Sequence, residues 1–132
     1  MEDLNQIKIF TLPEAEALLP SLSSLLIEAK AARDALQKLE VEIDLEEILQ
    51  EGQPSEQLTR RVEEYNNQVA SFYDLIDQIH EPGCLLKDVE LGLIDFYSKR
   101  EGQLILLCWK LGEAGISYWH PVDKGFSQRE RL

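Results

Sequence analysis

Cysteine is scarce in this chain: there are two in 132 residues, Cys84 and Cys108, and they stand far apart. They form no Cys-x-x-Cys pair, so neither a disulfide framework nor a four-cysteine zinc site is indicated. Long apolar runs are missing too. None approaches the ~20 residues needed to span a bilayer, and the start from Met1 to Lys8 is too acidic and polar for a secretory signal. The expected setting is a reducing cytoplasm. Glycine supplies no phosphate loop: Gly112-Glu113-Ala114-Gly115 is too short to be one and opens no helix. Ser117 lacks the tight Gly-x-Ser-x-Gly turn of a hydrolase nucleophile, so a Ser-His-Asp triad is not supported. No His-Glu-x-x-His pattern occurs either.

Positive charge is sparse where it would matter most for nucleic acid. Residues 1–82 hold 18 acids and 6 bases, a balance of −12, whereas residues 83–132 hold 7 of each and sum to zero. Such a field repels phosphate backbones and anionic lipid, so neither nucleic acid nor membrane is an expected partner; basic proteins and divalent cations are compatible with it. The length fits one domain, 1–132.

What is present divides the chain by hydrophobic period. Ile7 to Phe10 is a short apolar lead-in with the character of an edge strand. Thr11-Leu12-Pro13-Glu14 forms a capping box, with Pro13 tolerated in the first turn. Pro20 would delete a hydrogen bond to Glu16, so a kink or a new helix start is expected there. Leu22, Leu25, Ala29, Ala32, Leu36, Leu39 and Ile43 then step by three and four. After Gly52 and Pro54, with Ser55 as the cap, Leu58, Val62, Tyr65, Val69, Phe72, Ile76 and Ile79 repeat the seam. Two such segments joined by a short polar link predict a long antiparallel helical hairpin of coiled-coil type over residues 11–81. Glu40, Glu42, Asp44, Glu46 and Glu47 crowd the end of its first helix against the macrodipole, with Arg60 and Arg61 across the loop.

Pro82-Gly83 stops the second helix, and the period falls to two. A three-stranded antiparallel β-meander is expected over residues 87–120: one strand from about Lys87 to Phe96, a loop at 98–102, a second strand from Gln103 to Lys110, and a third from Ile116 to His120. Residues 121–132 read as an aperiodic tail. The fold class is therefore α+β. Leu104 to Trp109 is apolar on both faces, so the N-terminal segment, the tail or a second subunit must cover the sheet's far side. A homodimer is the expectation.

The polar residues worth weighing lie in this second half. If Glu113-Ala114-Gly115 were a three-residue loop, Gly112 would pair with Ile116, Trp109 would face Trp119, and Cys108 would face His120 with Cβ atoms about 5 Å apart. A catalytic Cys–His pair needs an exposed thiolate, whereas Leu-Leu-Cys-Trp looks buried. Cys108, Glu113, His120 and Asp123 are all zinc-type ligands, in a spacing that matches no established finger. Asp95 is an acid inside an apolar strand and calls for a partner, Arg100 or Arg129. Gly125 and Phe126 would fold the tail back and bring Arg129 towards Glu113 or Asp95.

Phe10 to Ala15 with Leu18-Leu19-Pro20, Lys87 to Phe96, Cys108 to Glu113, Trp119-His120 and Gly125-Phe126 with Arg129 together resemble an uncharacterised bacterial family, domain-of-unknown-function family 2203. The resemblance spans essentially the whole chain and implies no activity. Its signature residues fall here on Asp95, Cys108, Trp109, Gly112, Glu113, Trp119, His120, Gly125, Phe126 and Arg129. The chain departs from the pattern near Tyr97 and Ala114, where proline is expected.

The function expected from the sequence is a cytoplasmic protein–protein interaction or scaffold module. Its acidic helical arm would meet a basic protein, with no cofactor and no assigned reaction. The alternative is a small metal-binding protein or enzyme using a polar cluster of Asp95, Cys108, Glu113, His120 and Arg129 on the C-terminal sheet. A divalent metal would then sit among Cys108, Glu113, His120 and Asp123.

Overall fold

The computed structural model describes residues 7–132; the acidic start at 1–6 lies outside the described residues. The lead-in runs along the sheet edge, with the Phe10 amide donating to the Tyr97 carbonyl at 2.7 Å. Helix α1 (Leu12–Ala17) opens with both halves of the capping box: the Glu14 amide donates to Thr11 Oγ1 and the Thr11 amide to Glu14 Oε1. The helix breaks at Leu18, so that Pro20 occupies the first turn of α2 (Leu19–Gln50), where its missing N–H has no partner to lose. Helix α3 (Glu56–His80) is capped by Ser55, whose hydroxyl accepts from the Leu58 amide at 3.2 Å. Arg61 of α3 reaches Glu42 and Glu46 of α2 at 3.1 and 3.0 Å, neutralising part of the acidic crowding.

The sheet has five antiparallel strands, not three: β1 (Leu85–Asp88), β2 (Leu93–Arg100), β3 (Gln103–Lys110), β4 (Tyr118–Pro121) and β5 (Glu130–Arg131), paired in that order. The expected strand from Lys87 to Phe96 is two strands and a turn. Asp88 Oδ1 accepts from the Leu91 amide at 2.9 Å, and Gly92 takes the left-handed conformation at φ 69°. The alternation of Val89 and Leu91 therefore belongs to a turn, and Leu91 is exposed. The expected five-residue loop at 98–102 is a two-residue turn, Glu101-Gly102, with both residues left-handed. Ser98 instead lies buried in β2 and donates its hydroxyl to the Phe10 carbonyl at 2.6 Å. The tail, read as aperiodic, forms a 3-10 turn at Phe126–Gln128 and supplies β5.

Both faces of β3 are buried within one chain, as the two-sided apolar run required. Ile105, Leu107 and Trp109 join Ile94 and Phe96 of β2 in a core with Leu19, Leu22, Leu26 and Ile79 of the helices. Leu106 and Cys108 point the other way, and the tail, through Val122 and Phe126, comes over them. No helix among the described residues is long and apolar enough to cross a membrane.

Candidate functional site

The register of β3 against β4 decides which polar side chains meet. Trp119 pairs with Leu107, His120 with Leu106, and Cys108 with Tyr118. The three-residue loop that would have set Cys108 opposite His120 does not form, and the pairing slips by two residues. Two side-chain contacts explain the slip, one local and one long-range. Glu113 folds back at once, its amide donating to the Lys110 carbonyl and its carboxylate accepting from the Lys110 amide at 2.8 Å. Ile116 is drawn out of the sheet, its amide donating to Glu16 Oε2 of α1 at 3.1 Å. A slip of two keeps every side chain on its face, whereas a slip of one would have reversed it. Cys108 and His120 are thus diagonal neighbours, and Asp95 of β2 lies directly opposite Cys108.

Asp95, Cys108 and His120 converge from three adjacent strands. One donor atom from each lies within 4.8 Å of the others. All three are buried, at 3, 1 and 1% exposure. His120 Nε2 stands 3.0 Å from Asp95 Oδ2, and Nδ1 stands 2.8 Å from the Pro121 carbonyl oxygen. A carbonyl only accepts, so Nδ1 carries a proton and Nε2 is the nitrogen that faces the cluster. Asp95 therefore pairs with His120 rather than with Arg100 or Arg129.

Burial sets the electrostatics of the cluster. It raises the Asp95 carboxyl above the ordinary carboxylate range, against the opposing pull of His120 and Lys87. It pushes the Cys108 thiol up to about 11; Asp95 adds to that rise, while the positive charge of Arg129 opposes it. Cys108 is thus a neutral thiol at neutral pH, which disfavours it as a free nucleophile.

Arg129 continues the network outward. Its guanidinium grips Glu113 with two bonds of 3.1 and 2.9 Å and lies over the rings of Tyr118 and Phe126 at 3.9 and 4.4 Å. This bidentate, stacked geometry is the one that only arginine supplies. The backbone carbonyl of Glu113 also accepts from Trp109 Nε1 at 3.0 Å, tying the turn to the core. All five residues of the sequence-derived cluster are accordingly brought into one network. Of the four metal candidates, Cys108 and His120 lie in the donor group, whereas Glu113 is committed to Arg129 and Asp123 is exposed and outside it. Asp95 takes their place; its position opposite Cys108 depends on the β2–β3 register, which its own sequence neighbourhood does not disclose.

A cavity of about 180 Å³ adjoins the cluster. Asp95 and Cys108 form part of its wall; Leu93, Leu106, Val122 and Phe126 make it largely apolar, and Lys87 and Lys124 stand at its edge. Reasoning from sequence overlooked both lysines, since nothing local links β1 to the tail.

These features define a small α+β protein with a five-stranded antiparallel sheet and a buried Asp–Cys–His donor group beneath its C-terminal tail. The family model described as Uncharacterized conserved protein (DUF2203) matches residues 8–132, and the chain belongs to that family. Comparison with curated proteins and with solved structures gave no match.

Proposed function

We propose that this chain is a small metal-binding protein whose centre is built from Asp95 Oδ2, Cys108 Sγ and His120 Nε2. The observation that carries the reading is the convergence of these three buried donors from three neighbouring strands. A thiolate, an imidazole and a carboxylate form a zinc-type set, and Irving–Williams competitors such as copper are the ones to test against it. Bonds of 2.0–2.3 Å would place the donors of one tetrahedral ion roughly 3.3–3.6 Å apart, so only small side-chain adjustments are needed. His120 is prepared for this role: its Nδ1–H is held by the Pro121 carbonyl, the outer contact that fixes a ligating imidazole. Three protein donors leave one position open, which is the pattern of centres that bind an exogenous ligand rather than of closed structural sites. No reaction is assigned. A reducing cytoplasm suits two free cysteines.

The test is elemental analysis of protein purified without chelators, followed by cobalt(II) substitution. One ion per chain, with a thiolate-to-cobalt band that Cys108→Ser abolishes, is the expected result. Protein that takes up no zinc or cobalt at neutral pH sinks the reading.

A second reading concerns α2 and α3, which we read as an antiparallel coiled-coil arm for docking another protein. Val41, Leu45 and Ile48 lie one turn apart on α2 and are 65, 56 and 71% exposed. Glu40, Asp44, Glu47 and Glu51 run beside them at the same spacing, whereas Glu42 and Glu46 are engaged by Arg61. An apolar stripe edged with acid fits the mixed face of a basic amphipathic helix. Like charge disfavours a second copy of this stripe, and β3, which first motivated a homodimer, is covered by its own chain. Sedimentation velocity at micromolar concentration tests self-association, and Leu45→Asp tests the stripe.

A further inference from the structure

We propose that the cavity beside Asp95 and Cys108 takes a small aliphatic carboxylate, with Lys87 and Lys124 reading its charge. This rests on the metal reading above, because the metal's open position and the cavity would share the ligand. The charge argument comes first. A divalent ion with one carboxylate, one thiolate and a neutral imidazole sums to zero, so the centre alone prefers no ligand charge. Lys87 and Lys124 tip that balance. Both line the cavity, and neither is ion-paired among the described residues. The chain as a whole carries −12 and repels anions, so these two cations are what would draw one to this mouth.

The walls select the rest of the ligand. Leu106, Val122 and Phe126 offer no hydrogen bonds from their side chains, so an inorganic oxyanion would leave oxygens unsatisfied against them. A carboxylate with a short alkyl tail turns its polar end to the lysines and the metal and its apolar end to those walls. A volume of about 180 Å³ has room for a short-chain carboxylate such as butyrate.

The experiment is calorimetric titration of zinc-loaded protein, its zinc content measured beforehand, with acetate, propionate, butyrate and inorganic phosphate at constant ionic strength. Affinity should rise roughly fourfold with each methylene as far as butyrate, and phosphate should bind more weakly than butyrate. The Lys87→Gln/Lys124→Gln double variant alters two exposed side chains and should keep its zinc while losing most of its butyrate affinity. Three results, obtained on protein with full zinc content, would overturn the carboxylate inference and leave the metal reading intact: no trend with chain length, phosphate binding as tight as butyrate, or unchanged butyrate binding in the double variant. A chain that takes up no zinc overturns both.

Discussion

His120 is held at both ring nitrogens: Nδ1 donates to the Pro121 carbonyl at 2.8 Å, and Nε2 faces Asp95 Oδ2 at 3.0 Å. With Nδ1 protonated, the Asp95–His120 contact holds one proton, carried either by the imidazole or by the carboxyl. Burial of Asp95 favours the carboxyl, since a neutral pair avoids two charges in a dry site. An asparagine amide can make the same donation to Nε2 that a protonated Asp95 makes. In metal-free protein, Asp95→Asn should therefore cost under about 1 kcal/mol, while His120→Ala, which leaves a buried carboxyl unpartnered and a void, should cost about 2–4 kcal/mol. Urea denaturation of the three proteins checks this. A loss as large for Asp95→Asn as for His120→Ala would show that the pair is charged instead.

Uptake of a metal at the proposed centre would displace that proton and the Cys108 thiol proton, because the thiol, raised to about 11, is neutral at pH 7. Zinc added to weakly buffered metal-free protein should release about two protons per ion bound, and about one in Cys108→Ala if that variant still binds. Release unchanged by the substitution would remove Cys108 from the donor set.

The Arg129–Glu113 pair is only partly exposed, at 16 and 25%, and is made in two parallel bonds. It should therefore exceed the worth of an ordinary surface pair. A double-mutant cycle of Arg129→Ala and Glu113→Ala is expected to give a coupling of about 1–2 kcal/mol. Arg129→Lys should recover little of the Arg129→Ala loss, because lysine keeps the charge but not the stacking on Tyr118 and Phe126. Full recovery by lysine would make the contact a simple matter of charge.

What could be read from the sequence follows how local the determining interaction is. Thr11 and Glu14 cap α1 across three residues, and Ser55 caps α3 across the same distance, so both helix starts were legible. Pro20 announced the α1–α2 break for the same reason. Burial of β3 on both faces was legible from its unbroken apolar run, and the alternation of its side chains survived the two-residue register slip. The slip itself was not, because it depends on Glu16, one hundred positions from the Ile116 amide that it holds. Asp88 turned an apparent strand into a corner by a side-chain bond that alternation cannot register. The two residues of β5 carry no pattern at all and are a strand only because β4 lies beside them. The site inherits this division: Cys108 and His120 stood out by type, while Asp95 as their partner and the two lysines emerged only with the pairing of β2, β3 and the tail.

Cys84 offers a pH test remote from the candidate centre. It is buried in the link between α3 and β1, where its thiol donates to the Ile79 carbonyl at 3.0 Å. Burial raises it from an ordinary value of 9.0 to about 11, slightly opposed by a backbone hydrogen bond. The unfolded chain therefore sheds this proton at lower pH than the folded one. Between pH 9 and 11 the folded state binds more protons, so stability falls as pH rises; below pH 9 the contribution is fully retained. The rise from 9.0 to about 11 corresponds to about 2–3 kcal/mol of stability lost across that window from this one thiol. Tyrosines and lysines also titrate there, so the quantity to measure is the difference between the parent and Cys84→Ala in urea midpoints at pH 8, 9, 10 and 11. The variant should start less stable, having lost a buried sulfur, and the gap should close or reverse towards pH 11. A gap that stays constant over the series would mean that Cys84 can ionise in the folded protein as readily as in water.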